Sequence, residues 1–260
     1  MRAFFYRELA IFGGAWHTWY FLAFHDVKGK YRRSILGPFW MTLTSVFFIM
    51  GLAFVYSKLL HVDIKEYLPY LACGFIAWTY MTSFINEGAN TFINSGHIIK
   101  QLNMPFMAHI MRVAFRNLVI FLHSWIILIP LMLWYDYLTV SGVFFSIAGI
   151  LLVTFALIPL VTLLSVICVR YRDVAIMVAS AMQLLFFVTP VMWQAHQLTE
   201  ISLFLKLNLF GYLIDLIREP MLNGQFPVTS ATVVLCAGVA LWAAAFFALF
   251  INRKHIPYWV

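Results

Sequence analysis

Residues 142–169 read GVFFSIAGILLVTFALIPLVTLLSVICV, 28 consecutive positions without an Asp, Glu, Lys or Arg. A hydrocarbon core about 30 Å thick is crossed by roughly 20 apolar residues in a helix, so this run predicts a transmembrane helix. It is followed at once by Arg170-Tyr171-Arg172-Asp173, a polar turn, and then by a second apolar run at 174–192. Working outward, the stretches 38–60, 67–92, 112–135 and 229–251 also qualify, with Arg112 and Arg116 standing at the start of one of them. The expected fold class is an all-α polytopic membrane protein with six transmembrane helices.

The overall composition agrees. The chain of 260 residues is 63% hydrophobic and 10% charged, with a mean hydropathy of +0.90. Soluble domains carry about 25% charged residues, so lipid must be the solvent for much of this surface. The net charge of +7 would point to nucleic acid in a soluble protein. In a membrane protein it reads as the cytoplasmic excess of Lys and Arg, and no nucleic-acid partner is expected. Cys73, Cys168 and Cys236 lie in apolar runs without metal-ligand spacing and read as buried free thiols. Arg7 and Glu8 interrupt the first residues and no small-residue cleavage site follows, so no signal peptide is expected.

Six spans place both termini on one side. That side holds Arg2, Arg7, Lys28, Lys30, Arg32, Arg33, Lys100, Arg112, Arg116, Arg170, Arg172, Arg253 and Lys254, against Lys58, Lys65, Lys206 and Arg218 opposite: 13 of the 17 basic residues. It is therefore expected to be cytoplasmic. Two segments exceed the minimal plan. In residues 1–20, Phe5, Leu9, Phe12, Trp16 and Trp19 recur at helical spacing as one stripe, which suits a helix lying in the headgroup plane or an ordinary amphipathic helix packed on the bundle. The outer segment 195–228 is apolar but interrupted at Asn208 and Gly211. It reads as a pair of short re-entrant helices, tolerated at depth only against protein or a water-filled path. The domain plan is then an interface segment 1–35, a permease domain 36–255 containing the outer segment, and a tail 256–260.

Chemistry-bearing residues are few. No G-x-x-x-x-G-K-[ST] loop and no H-E-x-x-H occur, and paired carboxylates are absent. The chain alone is not expected to bind ATP, to hold a metal or to catalyse. His123, among apolar neighbours, reads as a histidine bonded to another helix. Glu87, Arg112 and Arg116 lie near the cytoplasmic leaflet. The arginines share a helix face, and an ion pair with Glu87 would offset its burial; a proton or ion relay is the alternative. Trp40, Phe47 and Phe54 recur every seven residues, as a lipid-facing stripe or as a lining on which sugar rings could stack. Lys28, Lys30, Arg32 and Arg33 sit at headgroup depth, as positive-inside anchors or as contacts to a lipid diphosphate. On the outer side, Asp215 and Arg218 are three apart and can pair on one helix face. With Asn208 they are candidates for an outer gate.

Several stretches together resemble one family. Lys30-Tyr31-Arg32-Arg33-Ser34-Ile35-Leu36-Gly37-Pro38-Phe39-Trp40 looks like the entry to the first span of ABC-2-type polysaccharide exporter permeases, closest to the O-antigen permeases called Wzm. Tyr67-Leu68-Pro69-Tyr70-Leu71 with Gly74 and Trp78, Arg116-Asn117-Leu118-Val119-Ile120-Phe121 with His123, Arg170-Tyr171-Arg172-Asp173, and Phe186-Phe187-Val188-Thr189-Pro190-Val191-Met192-Trp193 agree in the family's order. The outer segment departs from it: Asn208 is followed by Leu209 rather than proline, although Asp215, Arg218, Pro220 and Gly224 fit.

The resemblance implies a homodimer in the bacterial inner membrane with two copies of an ATP-binding cassette subunit, Wzt-like, that holds ATP and Mg. The dimer would export a polysaccharide linked to undecaprenyl diphosphate. It also implies cassette docking at Ser95, His97, Lys100 and Gln101 and at Arg170, Tyr171, Arg172 and Asp173. Capsule and teichoic-acid exporters share the pattern. An ion-coupled carrier would need internal repeats and midplane charge, and a membrane transferase an acid–base pair or metal ligands.

Overall fold

The computed structural model describes residues 6, 8, 16–31, 39–59, 61–102, 104–194 and 206–260, and among these the chain is helical with no strand. Helix α1 (Trp16–Tyr31) precedes α2 (Phe39–Leu59) and α3 (Ile64–Ala89). Two short pieces, α4 (Thr91–Asn94) and α5 (Gly96–Gln101), lead to α6 (Phe106–Ile126) and its continuation α7 (Leu128–Trp134). Then come α8 (Val140–Arg170), α9 (Asp173–Val188), α10 (Leu209–Asn223), α11 (Val228–Asn252) and the turn α12 (Ile256–Trp259).

Backbone satisfaction sets the boundaries. Asp63 accepts from Lys65 N at the start of α3, and Thr139 accepts from Gly142 N at the start of α8, each relieving an orphan donor. Pro105 has no capping side chain, and Glu8 takes its place by accepting from Met107 N at 2.9 Å. The carboxylate at that helix end also meets the positive pole of the dipole. With its first turn so capped, α6 begins at Phe106, ahead of the 112 expected from hydropathy.

Among the described residues, five helices are long and apolar enough to cross a membrane: Thr42–Leu59, Ile64–Ala89, Phe106–Trp134, Val140–Arg170 and Val228–Asn252. The run expected over 174–192 gives only α9, of 16 residues, about 24 Å at 1.5 Å per residue. Pro190 ends it: the residue before a proline is driven out of the helical region, and Thr189 is extended at φ −85°, ψ 141°. The first described helix is α1, running to Tyr31. Of the expected stripe, Phe5, Leu9 and Phe12 lie outside the described residues. Trp19 packs edge-on to Phe115 of α6 at 6.2 Å.

Helix α3 is the central element: 72% of its span is buried, against 22% for α2 and for α11. It packs on α2, α6, α8, α9 and α10. Small residues let α10 lie close on α8. A Cβ on Gly149 would stand 1.9 Å from Leu216 O, and one on Gly142 would stand 2.4 Å from Pro220 O. Between them Ser146 donates to Ile217 O at 3.4 Å. Pro159, inside α8, leaves Phe155 O without its helical donor. Trp242 Nε1 of α11 donates to it at 3.1 Å, meeting a demand that lipid cannot meet.

Three local expectations change. Asn208 is extended at φ −79°, ψ 98° between helical residues 206–207 and α10, which it caps by accepting from Phe210 N at 3.0 Å, but Gly211 makes no break: α10 runs through it to Gly224, whose φ of 66° closes the helix. Residues 195–205, most of the first half of the expected re-entrant pair, lie outside the described residues. His123 bonds to Val119 O of its own helix at 2.8 Å, not to a neighbour. Cys73 and Cys168 are buried, but Cys236 is exposed on α11.

Candidate functional site

A groove of about 420 Å³ runs between α2, α3 and α9. Its walls are Phe48 of α2; Phe75, Trp78, Thr79, Thr82 and Ser83 of α3; and Met182, Gln183, Phe186 and Phe187 of α9. The rings form a connected set. Phe48 stacks on Phe75 at 4.9 Å, Phe186 meets Trp78 at 5.7 Å, and Trp78 reaches Phe210 of α10 at 5.7 Å. Hydroxyls line the same wall one turn further along α3. Thr79 donates to Phe75 O at 2.8 Å, whereas the buried Thr82 Oγ1 has no partner. Flat apolar faces beside hydroxyl and amide groups can hold a ligand that is apolar on its ring faces and polar at its edge, which is the chemistry of a sugar.

Trp40, Phe47 and Phe54 are 59%, 68% and 57% exposed on α2, and Phe48 of the same helix lines the groove. Lys58 Nζ lies over the Phe54 ring at 4.4 Å. Phe48, Phe75, Trp78, Phe186 and Gln183 went unrecognised as a set, because nothing in the spacing of one helix says which ring meets another.

One end of the groove's scaffold is fixed by the turn after α9. Tyr67 and Tyr70 of α3 donate to Met192 O at 2.6 Å and Trp193 O at 3.0 Å, and Asn208 Nδ2 donates to Thr189 Oγ1 at 2.9 Å. Arg218, 4% exposed, donates to Pro190 O at 2.8 Å and to Asp215 Oδ1 at 2.7 Å, with its guanidinium 4.2 Å from the Tyr70 ring. Burial alone disfavours its charge, but Tyr70, Asp215 and Glu219 outweigh that and raise its pKa above the ordinary arginine value. Asn208, Asp215 and Arg218 are thus brought together around one turn.

Towards the other end of α3, the charges form a network. Arg112 grips Asp26 through Nε and Nη2, both at 2.6 Å, and Arg116 reaches the same carboxylate at 3.2 Å. Arg116 also donates to Glu87 at 2.8 Å, beside Asn117 at 2.7 Å and Lys30 at 3.4 Å. Two carboxylates therefore face three cations, Lys30, Arg112 and Arg116, and the network ties α1 to α3 and α6. Asp26, Asn117 and Lys30 are its unanticipated members. The signal for Asp26 was its isolation, as the acid beside Lys28 and Lys30. Lys28 sits over Phe24 at 5.5 Å. Arg32 and Arg33 lie outside the described residues.

Ser95 is buried and His97, Lys100 and Gln101 are exposed on or beside α5, while Arg170, Tyr171, Arg172 and Asp173 are exposed at the α8–α9 junction.

Residues 18–222 match the family model described as ABC-2 type transporter. Among curated proteins, the chain is 24% identical over 236 residues to the O-antigen export system permease protein RfbA of Myxococcus xanthus, covering 88% of this chain and 90% of that one. It is 23% identical over 227 residues to the O-antigen export system permease protein RfbA of Klebsiella pneumoniae, covering 83% and 84%. With well over half of its length matched, and with apolar helices long enough to cross a membrane, the chain belongs to the ABC-2 type transporter family.

Proposed function

We propose that this chain is the membrane-spanning subunit of an ATP-driven exporter of lipid-linked O-antigen polysaccharide in a bacterial inner membrane. The observation that carries the reading is the groove between α2, α3 and α9, where five aromatic rings stand beside hydroxyl and amide groups inside apolar spans. The names of the relatives support the same cargo. Two copies, each with an ATP-binding cassette subunit, enclose the path, and the groove is one copy's share of it. ATP and Mg belong to the cassette. In this plan α9 and the turn after it complete a sixth crossing and both termini are cytoplasmic. The exposed α5 and the 170–173 junction meet the cassette, and Lys28, Lys30, Arg32 and Arg33 face the lipid diphosphate. Helix α10, held by Asp215 and Arg218, closes the outer mouth.

The test is surface polysaccharide in cells carrying Phe75→Ala with Trp78→Ala, measured with the amount of the chain in the membrane. Export falls while the protein level holds, and lipid-linked polymer accumulates inside. Normal export at a normal level would sink the reading of the groove as the polymer path.

A further inference from the structure

Residues 256–260, expected from sequence to be a tail, are held, together with His255, at several points. Ile256 is fully buried. Lys100 Nζ donates to the main-chain oxygen of Val260 at 2.6 Å. A Cβ on Gly96 would stand 2.3 Å from Val260 Cγ1, so the segment lies directly on the α5 backbone. On the other side the Arg170 guanidinium lies 5.4 Å from the Trp259 ring, and the His255 ring stacks on Trp259 at 5.5 Å and 18°. The same guanidinium lies 5.0 Å from the Tyr171 ring. Val260 is thus fastened to α5 and Trp259 to the end of α8, and α12 bridges the two. Tyr258, between the buried Ile256 and the anchored Trp259, is 87% exposed.

We infer that α12 is a third element of the surface that receives the ATP-binding cassette subunit, with Tyr258 as its contact and Trp259 as the positioning residue that fixes it against Arg170. The inference rests on the proposed function, in which α5 and residues 170–173 are the first two elements. A body seated on both must pass over the turn that joins them. Tyrosine is enriched in the cores of protein interfaces because it offers a large rigid surface at low entropic cost. The three segments 96–101, 170–173 and 253–260 together carry Lys100, Arg170, Arg172, Arg253 and Lys254 against the single acid Asp173, so the complementary partner surface is acidic. The bridge also makes the two loops one body: a push on either is felt by the other through Trp259 and Val260.

The experiment uses the chain purified with its cassette subunit. Single cysteines at Lys100 and Tyr258 are crosslinked to the cassette, and retention of the cassette and its ATP turnover are followed in Tyr258→Ala, Trp259→Ala and Trp259→Phe. Both cysteines crosslink. Tyr258→Ala, on an exposed side chain that leaves the fold intact, weakens cassette retention about tenfold, as loss of an interface anchor does. Trp259→Ala lowers the coupled ATP turnover, and Trp259→Phe, which keeps a ring under Arg170, restores it. If Lys100→Cys crosslinks while Tyr258→Cys does not and Tyr258→Ala retains cassette normally, the inference fails and the docking reading stands. If neither cysteine crosslinks in an intact complex, the docking reading itself is wrong. Protection of Tyr258→Cys by lipid without cassette would make it a headgroup anchor and overturn the inference.

Discussion

Replacing Arg218 by alanine removes three contacts at once: the ion pair to Asp215 at 2.7 Å, the hydrogen bond to Pro190 O at 2.8 Å and the guanidinium over Tyr70 at 4.2 Å. The arginine side chain is 5% exposed but Asp215 is 29% exposed, so the carboxylate left behind regains water in part. Breaking a buried pair costs about 3–5 kcal/mol, and this partial exposure puts the loss near the lower end. About 3 kcal/mol corresponds to a factor of roughly a hundred in an equilibrium, at 1.4 kcal/mol per decade. If α10 closes the outer mouth, the open fraction of the resting path rises by up to that factor. The assay is ion flux through proteoliposomes containing the dimer but no polymer, with assembly checked by size exclusion. Arg218→Ala raises the leak. Arg218→Lys keeps the charge but loses the planar fork and the stacking and raises it less. An assembled Arg218→Ala dimer with an unchanged leak would refute the gate and leave Arg218 as an anchor of the turn alone.

Asp26→Ala leaves Arg112 and Arg116 facing each other without the carboxylate between them; the pair is about four-fifths buried, and a loss of about 2–4 kcal/mol follows. It reads out as a lower melting temperature in detergent and looser crosslinking of α1 to α6, and the swap Asp26→Arg with Arg112→Asp recovers part of it; an unchanged melting temperature would mean that α1 is held by its aromatic contacts. Gly149→Leu drives a side chain into Leu216 O, which stands 1.9 Å from the Cβ position, so α10 cannot seat on α8 and little folded protein is recovered; Gly149→Ala is milder but still destabilising, and wild-type yield in both would contradict the observed approach.

Length and hydropathy suffice to find most of the spans because a bilayer demands about 20 apolar residues whatever the neighbours are. At α9 the helix is shorter than the apolar run for a local reason that the sequence does contain: Pro190 forces Thr189 out of the helix, and the apolar residues beyond it belong to a pinned turn. The Glu87–Arg116 contact is foreshadowed by two opposite charges at the same depth, whereas Asp26 is 86 positions from Arg112 and only the docking of α1 brings them together. The groove is hidden for a different reason. In water a buried face is apolar and an exposed one polar, so periodicity separates Phe47 from Phe48. In lipid both faces are apolar, and the heptad of Trp40, Phe47 and Phe54 carries no information about which of them meets protein. The information that survives is polar. Thr79, Thr82, Ser83 and Gln183 mark the groove as hydroxyls and an amide inside apolar spans. By the same rule Pro159 announces an orphan carbonyl in α8 that some neighbouring donor must meet, although only the fold reveals that the donor is Trp242, 87 positions away.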